Sequence, residues 1–359
     1  MTVINNIFIV NDSPVLTAVM KAIVETEAEV KVVGCALNGK QALKQITSEV
    51  DAVLMDIHMP GMNGAEVTLY LMNKFRKLRI LITTADVSNN QTWIFQALKA
   101  GAIDYVQTPK LKVLPGTLVT AIQLKLAGKM LLHKLNVLAK VDIHNSIAKQ
   151  HNQQLQKVNK NSLKAINNNL HHHWFCIGAS TGGPTTLATL LKSIVKPLSG
   201  SIIICQHNDL GFTDGLARWL QDETGFICHE VTQRLRPKPG HVYIAQGGAD
   251  LQATLGSYIR PQKIDTSRHY HPNIDLFLES VVALKSVTVT AAILTGMGND
   301  GAQGLAMVQE SGGTVYVQDQ QSAIIDSMPN AAKAAVGLQT THTPQRIGQL
   351  VSNSLGRIA

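Results

Sequence analysis

Three segments in the C-terminal half of this 359-residue chain each place one reactive side chain where an apolar run stops. Ser180 lies in Gly178-Ala179-Ser180-Thr181-Gly182-Gly183, and His207 ends Ile202-Ile203-Ile204-Cys205-Gln206-His207. Asp300 sits in Leu294-Thr295-Gly296-Met297-Gly298-Asn299-Asp300-Gly301. A serine hydroxyl becomes a nucleophile when an imidazole takes its proton and a carboxylate fixes the tautomer of that imidazole. Ser180, His207 and Asp300 are therefore candidates for acyl transfer. A strand-turn-helix around Ser180 would bring backbone N–H groups close enough to receive an oxyanion. It is not a phosphate loop, because Gly183 is followed by Pro184 and Thr185 instead of Lys and Ser/Thr. Taken singly, each residue has an ordinary structural reading: a glycine-rich turn, a polar strand end, a helix N-cap. Three strand ends supplying all three is what favours catalysis. Although Gly178 to Gly182 fits G-x-S-x-G, the order Ser, His, Asp disfavours the α/β-hydrolase fold, in which the acid precedes the histidine.

A second polar set closes apolar runs in the first third of the chain: Asn11-Asp12, Asp56, Thr84 and Thr108-Pro109-Lys110. Acids at strand ends often only begin loops. Together, however, Asp12 and Asp56 converging on one point would hold Mg²⁺, a hard cation that takes oxygen ligands and suits phosphoryl chemistry.

These residues need strands to carry them. Ile7–Val10, Val30–Cys35, Ala52–Met55, Ile80–Thr83 and Ile103–Val106 are β-branched runs separated by helix-length segments, which predicts a doubly wound parallel sheet. The alternation restarts with Phe175–Gly178, Ile202–Cys205, Val242–Ala245 and Thr288–Leu294, predicting a second α/β domain. Short runs near 226–232, 250–255 and 313–317 are expected as antiparallel additions. Helical spacing continues from Leu118 through Leu138, beyond the first sheet. Residues 145–169 contain 11 Asn/Gln in 25, too little apolar surface to offset ordering, which reads as a solvated linker. The expected division is residues 1–124, a linker at 125–172, and residues 173–357.

Hydrophobic residues make up 45% of the chain and charged residues 16%, which excludes wholesale disorder and coiled coil. The net charge of +8 is localised: residues 125–173 hold 8 Lys/Arg against 1 Asp/Glu, whereas residues 174–359 hold 13 against 13. A basic chain is thus no argument for nucleic acid here. Cys35, Cys176, Cys205 and Cys228 are scattered and read as reduced thiols. His171, His172 and His173 are adjacent, so they cannot converge on one metal from a strand. No basic leader precedes Ile7 and no apolar run reaches 18 residues, so a cytoplasmic chain without membrane insertion is expected.

The segments Ile9 to Ser13, Leu54 to Gly64, Thr84-Ala85 and Gly101 to Val106 resemble the receiver domain of two-component response regulators, a flavodoxin-like fold. That resemblance implies Asp56 as phosphoacceptor, Asp12 as direct metal ligand and Thr84 as switch hydroxyl, with a histidine kinase of a chemotaxis pathway as phosphodonor. Two positions depart from the pattern. Asn11 stands where a second acid is usual, which weakens the Mg²⁺ site. Thr108 stands where a lysine is usual, and the direction of Lys110 after Pro109 cannot be inferred.

The Ser180 and Asp300 motifs, with Gln206-His207, Gly211-Phe212-Thr213, Arg268-His269 and Met328-Pro329, resemble the catalytic domain of the chemotaxis protein-glutamate methylesterases (CheB type), a Rossmann-like three-layer α/β/α fold. The resemblance implies hydrolysis of methyl esters on glutamates of the cytoplasmic domains of chemoreceptors, with release of methanol. Glutamine deamidation is a second reaction it admits. It needs no cofactor in the esterase. By the same matching, the Met297 N–H and the Thr181 position are the oxyanion-stabilising pair, and phosphorylation of the receiver relieves a block on the esterase. Asn208 and Gln246-Gly247-Gly248-Ala249-Asp250 depart from the family's usual residues beside the site. The competing reading is a response regulator with a degenerate receiver and a non-catalytic, partner-binding C-terminal domain.

Overall fold

The computed structural model describes residues 4–111, 119–141, 172–265, 267–268 and 270–355. The chain divides into two compact units, each built on its own sheet.

The first unit contains β1 (Asn6–Val10), α1 (Pro14–Val24), β2 (Lys31–Ala36), α2 (Gly39–Gln45), β3 (Ala52–Asp56) and α3 (Gly64–Lys74). It continues through β4 (Arg79–Thr84), α4 (Gln91–Ala100), β5 (Asp104–Gln107), α5 (Ala121–Ala127) and α6 (Lys129–Ala139). Its five strands are parallel in the order β2-β1-β3-β4-β5. The direction in which strands are added to the sheet therefore reverses between β1 and β3, the crevice where doubly wound sheets gather ligands. Helices start at encoded caps: Ser13 Oγ accepts from the Leu16 N–H ahead of Pro14, and Asn63 and Glu66 form a capping box.

The expected boundary at residue 124 is corrected by α6. Leu131, Leu132, Leu135 and Leu138 are buried with Ile7, Ile9, Met20 and Leu54 in one apolar cluster. Lys134 forms an ion pair with Asp104 on β5, and Lys125 pairs with Glu27 at 3.2 Å. Residues 125–141 thus belong to the first unit, because a four-leucine face outweighs the local positive charge. The rest of the expected linker, 142–171, lies outside the described residues, as does the Pro115-Gly116 turn.

The second unit comprises β6 (His172–Ala179), α7 (Gly183–Lys192), β7 (Ser201–Gln206), α8 (Thr213–Thr224), β8 (Ile227–Val231) and β9 (His241–Ala245). The hairpin β10 (Asp250–Thr254) and β11 (Tyr258–Gln262) follows, then α9 (Ile274–Val282), β12 (Val287–Ile293) and α10 (Ala302–Glu310). Last come β13 (Thr314–Val317), α11 (Ser327–Val336) and α12 (Pro344–Leu355). The main sheet is parallel throughout, in the order β13-β12-β6-β7-β9-β8. This corrects two of the three expected antiparallel additions, since β8 and β13 are parallel edge strands and only the 250–262 hairpin is antiparallel. The core gathers Trp174, Cys176, Ile203 and Cys205 from the sheet with Phe277, Leu278, Leu305 and Met328 from the helices. Among the described residues no helix is long and apolar enough to cross a membrane.

Candidate active site

Ser180, His207 and Asp300 come from the carboxyl ends of three adjacent strands, β6, β7 and β12, and β6 is the point from which the sheet is built in both directions. Ladder-like bonds continue past the strand ends and hold the backbones in place. The Ser180 N–H donates to the Thr295 carbonyl at 2.9 Å, the His207 N–H to that of Ala179 at 3.0 Å, and the Leu294 N–H to that of Gly178 at 2.9 Å. The Gln206 side-chain amide donates to the Ser180 and His207 carbonyls at 2.9 and 3.1 Å, tying nucleophile turn to base turn.

His207 Nε2 lies 2.9 Å from Asp300 Oδ2. Its other ring nitrogen, Nδ1, is buried without a hydrogen-bond partner among the described residues, so Nδ1 is the atom left to take a proton. Asp300 is fixed in turn by the start of α9: Oδ2 accepts from the Ile274 N–H at 2.8 Å and Oδ1 from the Asp275 N–H at 3.1 Å. Burial alone would push the Asp300 carboxyl up. The His207 hydrogen bond and charge, with those two N–H groups, outweigh it and hold the carboxyl below its usual value. Behind it, Asp275 is pushed up by burial and by the Asp300 charge. The two shifts are opposed, so Asp300, the carboxylate that faces the imidazole, holds its charge more firmly than Asp275.

Glycines shape the rest. Gly296 packs directly on the serine, and Gly298 and Gly301 take left-handed conformations at φ 95° and 90°. The turn is pinned by Thr295, whose hydroxyl donates to the Thr181 carbonyl at 3.0 Å and accepts from the Ile325 N–H at 2.9 Å. No acceptor is found among the described residues for the N–H of Thr181, which follows Ser180, or for that of Met297, which follows the Gly296 that packs on Ser180. A serine hydroxyl, an unpaired imidazole nitrogen backed by a carboxylate, and two free N–H groups form a set suited to acyl transfer.

Sequence reasoning gave no role to Gln206, Thr295, Asp250 or Tyr270. Gln206 and Thr295 sit inside the motifs of His207 and Asp300, but nothing in their spacing shows which carbonyls their side chains reach. Tyr270 lies in a loop whose packing no spacing rule forecasts, yet its ring stacks on His207 with centroids 5.0 Å apart and planes 7° apart. Of the Arg268-His269 pair, Arg268 donates to Asn273 Oδ1 at 3.1 Å, and His269 lies outside the described residues. His172 accepts from Arg236 and His173 meets Thr290, so these two do not share a ligand position. No group of three His, Cys, Asp or Glu that could hold a metal occurs among the described residues.

In the first unit, Asn11-Asp12 and Asp56 end the adjacent strands β1 and β3. Burial, then the nearby Asp12 charge, pushes the Asp56 carboxyl up to about 6, against a hydrogen bond from the His58 N–H. Asp12 is exposed, whereas Asn11 is buried with its Oδ1 already accepting from the Ser13 N–H at 2.8 Å. The Asn11 amide nitrogen and the Thr108 hydroxyl are buried without partners among the described residues. Thr84 is engaged locally: its hydroxyl accepts from Asn90 Nδ2 at 2.8 Å and donates to the Asp86 carbonyl at 3.1 Å. Lys110 is exposed, and its charge acts on Asp86 instead of Asp56.

A raised carboxyl costs folding stability while it is ionised. With a folded value about 6 against an ordinary 3.8, the cost is complete above pH 6 and fades as pH falls toward 4. Asp56→Asn is therefore expected to stabilise the protein at pH 8 by on the order of 2–3 kcal/mol in urea unfolding without divalent ions. The gain should shrink at pH 4.5. An equal gain at both pH values would contradict the assignment.

A receiver-type sheet with acids at its switch point, joined in one chain to a Ser-His-Asp site on a second parallel sheet, defines a response regulator with a serine-hydrolase output domain. The chain belongs to the CheB-type protein-glutamate methylesterase family. Residues 175–351 match the CheB methylesterase model and residues 7–119 match the response regulator receiver domain. It is 31% identical over 329 residues to the protein-glutamate methylesterase/protein-glutamine glutaminase of group 3 operon of Pseudomonas putida, covering 91% of this chain and 93% of that one. It is likewise 31% identical over 356 residues to protein-glutamate methylesterase/protein-glutamine glutaminase 1 of Burkholderia lata, covering 99% and 97%. Among solved structures, the Thermotoga maritima CheB methylesterase catalytic domain is 29% identical, with 51% of this chain and 98% of that chain covered and a TM-score of 0.48.

Proposed function

We propose that the chain removes methyl esters from glutamate side chains of chemoreceptors, and that it also hydrolyses receptor glutamines to glutamate. The observation that carries this reading is the 2.9 Å His207–Asp300 hydrogen bond at the strand ends that flank Ser180. Ser180 Oγ attacks the ester carbonyl carbon while His207 Nδ1 takes the hydroxyl proton. The oxyanion is received by the Thr181 and Met297 N–H groups. Collapse breaks the bond to the methoxy oxygen, which takes the proton from His207 and leaves as methanol. A water molecule, deprotonated by the same nitrogen, then attacks the acyl-serine and frees the glutamate. Asp300 holds Nε2 throughout, so that the proton carried by Nε2 never competes with the transfer at Nδ1. A non-catalytic output domain is disfavoured because every position of the set is filled. Methanol release from methylated receptor membranes, wild type against Ser180→Ala, tests the reading, and a wild type that releases none sinks it.

The first unit supports regulation by a histidine kinase, with Asp56 receiving the phosphoryl group. Mg²⁺ fits the donor set: Asp12 and Asp56 would hold it, and when bound it supplies neutralising charge to phosphoryl oxygens. The site is weak, because Asn11 has committed its oxygen to Ser13 and Thr108 brings a hydroxyl in place of a cation. Asn11→Asp combined with Thr108→Lys is expected to raise stimulation of the full chain by a small phosphodonor roughly tenfold, the worth of one or two charge-assisted bonds. An unchanged response in the methanol assay would remove this account of the two departures. The same reading puts the protein in the cytoplasm, where receptor methylation regions and kinase are found together.

A further inference from the structure

We propose that Tyr270 is a positioning residue for hydrolysis, acting through the face of the His207 imidazole; the inference rests on the esterase reading above. The two rings lie 5.0 Å apart, centroid to centroid, and only 7° from parallel. The Asp300 bond fixes one edge of the imidazole but leaves it free to pivot about the Nε2···Oδ2 axis. A flat aromatic surface removes that freedom and keeps Nδ1 aimed to the serine side. When His207 takes the serine proton it becomes a cation, and a cation against a π face is favoured over the neutral ring. The stack is therefore worth more in the transition state than in the resting enzyme, which is the condition for raising kcat.

Tyr270 is itself held. Its hydroxyl lies so close to Gly298 that a Cβ there would come within 2.9 Å of it, so one side chain spans from the base to the turn that presents Met297. The flanking chain is stapled by Asp250, whose side chain is fully buried. Asp250 Oδ1 accepts from the Asn273 N–H at 2.7 Å and meets His271 Nδ1 at 2.9 Å, and Oδ2 accepts from the Asp265 N–H at 3.0 Å. Asn273 caps α9 by accepting from the Leu276 N–H at 2.9 Å, and α9 is the helix whose first N–H groups hold Asp300. A single buried carboxylate thus fixes both the ring that covers His207 and the helix start that grips its acid. The staple originates at Asp250, the last residue of the Gln246 to Asp250 segment beside the site.

The test is steady-state methanol release by the full chain for Tyr270→Phe, Tyr270→Leu and Tyr270→Met. Removing the ring is expected to lower kcat on the order of tenfold with KM changed less than about twofold, while Phe, which keeps the π face, restores wild-type kcat. Melting temperatures measured alongside identify a variant that has failed to fold, and the two aliphatic substitutions back each other up. Wild-type kcat in a folded Leu or Met variant overturns the proposal. So does a Phe variant as slow as Leu, or a loss confined to KM, which would mean that Tyr270 touches substrate. Absence of methanol release by the wild type is a separate result and overturns the esterase reading instead.

Discussion

Ser180→Ala and His207→Ala each lose methanol release by on the order of a millionfold, because removing either member of a nucleophile–base unit stops the whole unit. Asp300→Asn is expected to be milder, on the order of ten-thousandfold. Asp300 accepts three hydrogen bonds, from His207 Nε2 and from the Ile274 and Asp275 N–H groups. An amide keeps one acceptor oxygen and turns the other position into a donor. If that donor faces His207, the ring must carry its proton on Nδ1, the atom that should take one from serine. The measurement is methanol evolved per enzyme over hours, long enough to resolve the residual rates. Ser180→Ala retaining even a few per cent of wild-type activity would falsify the assignment.

Gly296→Ala lowers kcat roughly a hundredfold, the scale of a one-ångström displacement of reacting groups. A Cβ at residue 296 would come 2.2 Å from the Met328 sulfur and 2.7 Å from the Ser180 Cβ, distances that cannot persist. Nor can the backbone retreat. The Gly296 N–H donates to the Ile325 carbonyl at 3.0 Å, and the Gly296 carbonyl accepts from the Met328 N–H at 3.0 Å and the Ser327 hydroxyl at 3.0 Å. Ser180 is what must give, with Met297 beside it. The same overpacking is expected to lower stability by about 1–3 kcal/mol. A variant that melts early yet turns over at the wild-type rate would show that the methionine alone absorbs the clash.

The placement of the three reactive residues was legible because parallel strands announce themselves twice, by an apolar run and by the polar residue where it stops. Ile202 to His207 is the clearest case, six residues that fix strand, strand end and base together. Pairing direction was not legible at the edges. Ile227–Val231 and Thr314–Val317 are short, and whether a short edge strand runs parallel depends on the helix that returns the chain, not on its own residues. Charge misled at α6: the leucine spacing was legible, but 8 Lys/Arg against 1 Asp/Glu in residues 125–173 assigned the helix to a linker, whereas its leucine face is buried in the first unit. Tyr270 and Asp250 were invisible for a different reason. Their contacts join residues 63 and 15 to 23 positions away across loops that have no periodicity. The α11 helix was not legible because alanine dominates it, and α12 because its apolar positions, Ile347 and Val351 among them, are too few and too interspersed with Gln, Ser and Asn to stand out.

The burial of α6 has a consequence for synthesis of the chain. Ribosomes deliver residues in order, and the apolar cluster that includes Ile7, Ile9 and Leu54 stays open on one side until Leu131, Leu132, Leu135 and Leu138 arrive. All five strands of the first sheet have been made by Gln107, so the nascent sheet must wait for more than twenty further residues before that side is covered. During the wait it presents an apolar face of the kind that nascent-chain chaperones hold and that neighbouring chains stick to. A stop codon after residue 124 would make that interval permanent.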